Sequence, residues 1–386
     1  MIFMEIIGLF IIYTLRLKQR STINVAMVGL DTNLTNNNLR RSFLFRLFFL
    51  GLFLTGSGKV FAQDPQFSQY YAAPLYLNPA FAGSELLPRF GANYRNQWPG
   101  LEAQFTTFSA YFDTYIDNYN SGLGFFVMND VEGGAKLRSF TFAGQYSYEL
   151  RISENAYFRP GFQAAYIRRD IGYYENLVFA NQINPGDPFG PLLPSNGLDG
   201  SGDPVNLLSL SFGGLFFTDK FWFGVSAHHV NEPNQSFLEG VSPLPAKYSV
   251  HTGYRISLGT GTYRRDFTHY RKDRYLLPTL NYKRQGPFEQ LDIGAYIHLE
   301  PINFGLWYRG VPYRPVENQN NRDAIVMMIG VNLPTGMSMG YSFDYTVSQL
   351  GIQSGGAHEV SIAFLLADKN RQKTNKRETI LPCPKF

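Results

Sequence analysis

The feature that most constrains this chain is an alternation of period two that recurs along nearly its whole length. After the first sixty residues no apolar run is long enough for a membrane-crossing helix. Between Ser139 and Glu149, Phe140, Phe142, Gly144, Tyr146 and Tyr148 alternate with Ser139, Thr141, Ala143, Gln145, Ser147 and Glu149. Lys247 to Ser257 repeats the pattern, with Tyr248, Val250, Thr252, Tyr254 and Ile256 on one side. Leu291, Ile293, Ala295, Ile297 and Leu299 make another copy, and Met337, Met339, Tyr341, Phe343 and Tyr345 a further one. Successive side chains of a strand point to opposite faces, so each segment has a ring-bearing side and a hydrophilic or small side.

Extended to every such segment, the pattern predicts strands near 89–97, 105–114, 121–129, 137–152, 156–170, 205–218, 221–230, 247–258, 275–285, 289–300, 302–309, 322–333, 337–347 and 357–366. That is about fourteen, an even number as in bacterial outer-membrane barrels. Ser153-Glu154-Asn155, Thr218-Asp219-Lys220 and Pro334-Thr335-Gly336 are turns so short that only antiparallel neighbours can use them. Longer polar connections are expected at Ile171 to Pro204, Asn231 to Pro245 and Gly310 to Asn321. Short turns on one rim and long loops on the other describe a transmembrane barrel.

Composition decides between this barrel and a soluble all-β fold. Aromatic residues are 16% of the 386, yet mean hydropathy is −0.18 and charged residues are only 17%, against about 25% in soluble domains. A ring-bearing face on almost every strand would leave a soluble monomer with far more exposed apolar surface than it tolerates. Lipid removes the difficulty, and closure leaves no unpaired backbone in hydrocarbon. Tyr146, Tyr148, Phe158, Tyr166 and Trp307 are expected in the interfacial girdles. The net charge of +4, without a basic stripe, excludes a nucleic-acid groove. The single cysteine, Cys383, excludes a disulfide framework.

The first 62 residues are set apart from the fold. Arg40, Arg41 and Arg46, then Leu47 to Leu54, then Val60-Phe61-Ala62 have the order of a secretory signal, with cleavage after Ala62. Met27 lies at a more usual distance upstream than Met1, so residues 1–26 are expected to be an extension or a misassigned start.

Gln63-Asp64-Pro65-Gln66-Phe67-Ser68-Gln69-Tyr70-Tyr71, followed by Pro74-Leu75-Tyr76-Leu77-Asn78-Pro79-Ala80-Phe81-Ala82-Gly83, stands outside the strand pattern. An aromatic stretch broken by three prolines is no central strand; residues 63–88 are expected at the periplasmic mouth or folded back into the lumen as a plug. With this phrase, and with Pro382-Cys383-Pro384-Lys385-Phe386 at its end, the chain resembles the PorP/SprF family of Bacteroidetes outer-membrane proteins. The resemblance implies an all-β, antiparallel barrel over 89–366, a periplasmic tail over 367–386, and a part in type IX secretion and gliding. The partners it implies are outer-membrane lipid, other secretion and gliding machinery proteins, and a large secreted adhesin as cargo. It brings no cofactor, metal or catalytic residue. Protein contacts are expected at Gln66, Phe67, Tyr70, Tyr71, Pro74, Leu75, Tyr76, Asn78, Pro79, Phe81, Gly83, Cys383, Pro384 and Phe386.

Other readings are weighed against this one. A fourteen-strand circumference is wide enough for a passive diffusion porin. A lipid hydrolase or acyltransferase would need Ser, His and acid groups clustered outside the barrel, and no spacing suggests them. His228 and His229, adjacent on a strand, are expected on opposite faces and so cannot share a metal. His251 and His298 are expected to line the lumen. Gly259-Thr260-Gly261-Thr262 reads as a turn, and Arg264, Arg265, His269, Arg271, Lys272 and Arg274 as a basic loop that could meet lipid A or an acidic partner.

Overall fold

The computed structural model describes residues 63–172, 203–237, 240–265, 268–316, 319–348, 351–366 and 381–382; within 260–273, 312–321 and at 352 it describes backbone only. The expected signal, the central part of the first long loop, most of the tail and Cys383, Pro384 and Phe386 lie outside the described residues.

The described residues form sixteen strands: β1 Arg89–Gln97, β2 Phe105–Ile116, β3 Ser121–Glu132, β4 Leu137–Tyr148, β5 Leu150–Ser153, β6 Ala156–Ile171, β7 Val205–Thr218, β8 Phe221–His228, β9 Lys247–Tyr254, β10 Ile256–Arg265, β11 Thr268–Gln285, β12 Phe288–Leu299, β13 Ile302–Val316, β14 Gln319–Asn332, β15 Met337–Thr346 and β16 Ala357–Leu365. β5 continues β4 past Glu149, and β10 continues β9 past Arg255, so the strands make fourteen staves. Every pairing is antiparallel. β1 pairs with β16, and β9 pairs with β11 from Gly253↔Thr279 to Lys247↔Gln285, which closes the sheet into a barrel.

Both ends of the strand array lie on one rim, where Arg89 faces Leu365. The tight connections at 154–155, 219–220, 300–301 and 333–336 share this terminal rim. The opposite, loop rim carries the connections at 98–104, 172–204, 229–246 and 347–356.

The wall follows the alternation. On β4, Phe140, Phe142, Tyr146 and Tyr148 face outward while Ser139, Thr141, Ala143, Gln145 and Ser147 are buried inside. Leu208, Phe212, Phe223, Tyr248, Ile293, Phe304 and Leu306 extend the outward apolar belt. Among the described residues no helix is long and apolar enough to cross a membrane.

Three expectations change. Gly310 to Asn321 is not a loop: β13 and β14 continue as a hairpin past the loop rim, with register shifts after Arg309 and Val311. β-Branched and aromatic residues keep Val311, Tyr313 and Val316 extended, and the two prolines fall where the ribbon has left the wall and lost a neighbour on one side. Gly259-Thr260-Gly261-Thr262 is likewise strand, part of a β10–β11 hairpin projecting from the terminal rim; a bulge between Ser257 and Thr260 absorbs Gly259 at φ +91°. The side chains of Arg264, Arg265, His269, Arg271 and Lys272 on this hairpin lie outside the described ones. Trp307 is not a girdle residue. It shares the inner face of β13 with Asn303, Gly305 and Arg309, is 2% exposed, and donates to Thr279 Oγ1 at 3.1 Å. Gly294 and Gly305 make room for its ring, since a Cβ at either would lie within 2.5 Å of it.

Leu306 sits midway along the outward face of the wall part of β13, and Ile302 at its terminal-rim end. In lipid vesicles Leu306→Arg is expected to lower folding stability by about 2–4 kcal/mol and Ile302→Arg by about 0–1 kcal/mol. Denaturant titration checks this, and equal effects at the two depths would contradict the placement of the belt.

Candidate functional site: the luminal segment

The interior of the barrel is occupied by the chain's own N-terminal segment. Phe67, Tyr70, Tyr71, Leu75, Leu77, Ala80 and Phe81 are all less than 9% exposed and form one cluster with the inward rings Tyr111, Phe126, Tyr157, Phe217, Trp222, Tyr296 and Trp307. The inner face is therefore not only hydrophilic, as lumen-facing positions were read to be. Rings stand inward wherever the segment presents apolar surface. At about 1.5–3 kcal/mol for each fully buried large side chain, this packing is the main attraction holding the segment.

Local sequence gives the segment its shape. Pro74 opens a single helical turn, α1, over Pro74–Leu77, and Pro79 opens a 3-10 turn over Pro79–Phe81; proline suits the first helical position because its missing N–H is an orphan there. Asn78 joins the two. Its Oδ1 caps the second turn through Ala80 N at 2.9 Å, and its Nδ2 donates to the carbonyls of Gly214 at 3.2 Å and Val225 at 2.9 Å, stitching the segment to β7 and β8.

The wall is cut to receive this backbone. A Cβ on Gly122 would lie 1.9 Å from Ala82 O, one on Gly213 1.9 Å from Asn78 Oδ1, and one on Gly161 2.4 Å from Ala80 N. These glycines stand where chain and wall touch.

Charge secures the segment at three levels. Near the loop rim, Ser68 lies at the centre of a buried ionic junction. Arg95 donates to Asp344 at 2.9 Å and Glu359 at 3.3 Å, and Arg309 to Asp344 at 2.7 Å and Asp292 at 2.8 Å. Both guanidinium groups also donate to Ser68 Oγ, which donates to Asp344 at 2.6 Å; Ser68 N and Gln69 N donate to the two oxygens of Glu359. Lower down, Arg159 pairs with Glu149 at 2.6 Å and donates to the carbonyls of Ala80 and Ala82. At the terminal rim Asp113 binds Arg89 and accepts from Gly83 N at 2.8 Å. Gly83 has φ +66°, the left-handed region that lets the chain turn out toward β1.

The segment's first residues are fastened at the loop rim. Asp64 accepts from Lys247 Nζ at 2.7 Å, contacts His229 Nε2 at 2.9 Å, and bonds Gln285 through both its N–H and Oδ1. Burial alone would raise this carboxyl; the charges of His229 and Lys247 outweigh it and hold Asp64 well below the usual carboxylate range.

The residues expected to make protein contacts are thus placed against the wall. Gln66 accepts from Lys283, Phe67 packs edge-on to Tyr76, Tyr70 bonds Thr279 and Tyr71 accepts from Trp222 Nε1. Pro74, Leu75 and Pro79 are buried, Tyr76 donates to Pro65 O with Lys247 over its ring, and Phe81 stacks on His251 at 5.4 Å. Of the tail, Leu381 is 1% exposed and belongs to the same cluster. As members of one buried junction, Arg95, Asp292, Arg309, Asp344 and Glu359 escaped the sequence reading, although charged residues on the inward parity of five different strands were a usable sign.

His228 and His229 do not point to opposite faces. His229 follows the end of β8 with φ +55°, which turns its ring inward beside His228, their centroids 6.4 Å apart. His251 faces the lumen, and His298 is buried beside Asn303. Ser209 Oγ, His229 and Asp64 form a chain of contacts at 2.7 and 2.9 Å. Ser209 is fully buried and does not line the adjoining cavity of about 50 Å³, so the chain pins Asp64 and offers no reachable nucleophile. Among the described residues no three His, Cys, Asp or Glu side chains are grouped to hold a metal.

A barrel filled by its own N-terminal segment is what known proteins are compared with here. Residues 59–364 match the family described as type IX secretion system membrane protein PorP/SprF. The chain belongs to this family. Its barrel also resembles the P. putida toluene transporter TodX, at 9% identity over 75% of this chain and 93% of that one with TM-score 0.40. Further likenesses are BamA from Haemophilus ducreyi lacking POTRA domains 1–3, at 10% identity over 72% and 70% with TM-score 0.36, and a mutant Rh. blastica porin, at 8% over 72% and 99% with TM-score 0.29. No match was found among curated proteins. The PorP/SprF barrel lies in the outer membrane, its fourteen staves crossing the bilayer and its N-terminal segment filling the lumen.

Gly122→Val and Gly213→Val are expected to loosen the luminal segment, at a cost of about 1–3 kcal/mol from overpacking, while Gly144→Val, whose Cβ meets nothing within 4 Å, changes nothing. Limited proteolysis of folded barrels should cut within 63–88 in the first two only; equal resistance in all three would refute the close approach. Because the Asp64 carboxyl is depressed in the folded state, its contribution is fully present above its ordinary value of about 4 and is lost as pH falls through the lower folded value. The segment's first residues should stay protease-resistant from pH 7 to about 4 and fray only below, whereas Asp64→Asn frays throughout. Wild-type fraying that begins above pH 5 would contradict this sign.

Proposed function

We propose that this protein is a non-enzymatic outer-membrane component of the type IX secretion and gliding apparatus, which holds a secreted surface adhesin at its loop rim and links it to periplasmic machinery at its terminal rim. The observation that carries the reading is the filled lumen. A segment fastened at both mouths and along its length leaves the two rims as the surfaces on which partners can act. The residues of Gln66 to Gly83 serve the partners indirectly, by fixing the wall that presents those rims. Among the described residues, the β10–β11 hairpin on the terminal rim and the β13–β14 hairpin on the loop rim are the longest projections available for contact. Cys383, Pro384 and Phe386 are kept in this reading as further contacts for the periplasmic machinery.

The second reading is a passive diffusion porin, favoured by circumference alone. The two separate in a planar bilayer. Purified wild-type protein should show no steady large conductance, and cells lacking it should fail to display the adhesin while retaining their other outer-membrane proteins. Steady nanosiemens conductance from the wild type, or normal adhesin display without it, would overturn the proposal.

A further inference from the structure

The luminal segment runs against the direction that a chain entering from the periplasm would take. Its first residues are tied to the loop rim: Asp64 is bonded to Lys247 and Gln285, the residues that pair with each other where β9 begins and β11 ends. Gln63 is exposed there and borders the same small cavity as Glu132, His229 and Leu244, all at loop-rim ends of the wall. Its last residues are tied to the terminal rim through Gly83 and Asp113. Between Gln63 and β1 the chain therefore traverses the lumen once, with Gln63 at the loop mouth.

We propose that the mature N-terminus of this protein is delivered to the cell surface, and that removal of the leader is a precondition for closing the barrel around the segment. This rests on the outer-membrane placement, with the terminal rim toward the periplasm. Two features support the order of events. The segment's lower end binds β2 and β3, the first staves made, through Gly83 to Asp113 and the approach of Ala82 to Gly122. Its upper end binds β15 and β16, the last staves made, through Ser68 and Gln69 to Asp344, Glu359 and Ser361. The junction at Ser68 is complete only when the final strands arrive, so the β1–β16 seam zips shut with the N-terminus already inside and pointing outward. A leader still held in the inner membrane would have to pass through that seam or through the filled lumen. The free amino end then becomes an additional surface element of the loop rim, beside Lys247 and Gln285.

The test uses the full-length protein in its own outer membrane, in a Cys383→Ser background. One version carries the insertion Gly-Ser-Cys-Gly-Ser between Gln63 and Asp64; another carries Asp219→Cys in an exposed terminal-rim turn. A membrane-impermeant maleimide is added to intact cells and to cells with permeabilised outer membranes, and heat-modifiability on gels confirms that each version is folded. The expected result is labelling of the N-terminal cysteine on intact cells and of the Asp219→Cys protein only after permeabilisation, a contrast of at least tenfold. Labelling of both from the same side would overturn the threading, whichever side it is. Labelling from opposite sides in the reverse sense would keep the threading and overturn the orientation instead. As a second readout, Ala62→Tyr, which blocks cleavage, should abolish the heat-modifiable form; an uncleaved yet folded barrel would overturn the precondition.

Discussion

A closed sheet of fourteen staves encloses more space than its own inward side chains can fill, and everything distinctive in this molecule answers that constraint. Outside, the requirement is simple: every backbone group paired within the wall and an apolar face toward lipid. Inside, the wall has two options, to admit water or to be filled by protein. This chain fills the interior with the twenty-odd residues that precede its first strand. The apolar side chains of that segment supply most of the attraction, and the wall answers with rings such as Trp222, Tyr296 and Trp307.

The buried charges have a different task. Taking Arg95, Arg309, Asp292, Asp344 and Glu359 out of water is costly, and buried pairs of this kind are close to neutral for stability against an apolar equivalent. Their worth lies in selectivity. Each guanidinium and carboxylate is paired in a fixed geometry that includes Ser68 Oγ and two backbone N–H groups, although Arg95 Nε and Asp344 Oδ1 have no partner of their own, so any shift of the segment leaves an uncompensated buried charge, at roughly 3–5 kcal/mol. Packing holds the segment in the barrel; the ionic junctions, the Asn78 cap and the glycine contacts hold it in one register.

The wall was legible in the sequence because strand parity is a local property. Phe140, Phe142, Tyr146 and Tyr148 declare one face within a single window, and all fourteen staves could be placed from such windows. What was not legible depends on neighbours far away in sequence. Trp307 has the composition of a girdle residue, and only the parity set by Arg309 on the same strand, together with the space left by Gly294 and Gly305, places it inside. His229 was assigned by alternation from His228, but a left-handed residue ended the strand there. The stretch Gly310 to Asn321 looked like a loop because two prolines and several asparagines outweighed Val311, Tyr313 and Val316; a hairpin clear of the wall tolerates such residues at its edges. The segment Gln63 to Gly83 announced itself by aromatic residues and prolines, while its position in the lumen depends on partners more than two hundred residues away, Asp344 and Glu359 among them.

The central claim is that the segment from Phe67 to Gly83 is an integral part of the barrel interior in the membrane. Hydrogen–deuterium exchange of the protein in lipid bilayers tests it most directly. Amides such as Ser68, Gln69, Ala80 and Gly83, which donate to Glu359, Asn78 and Asp113, should be protected as long as those of β1 and β2. Exchange of these amides at the rate of an open loop, with the strands still protected, would contradict the account.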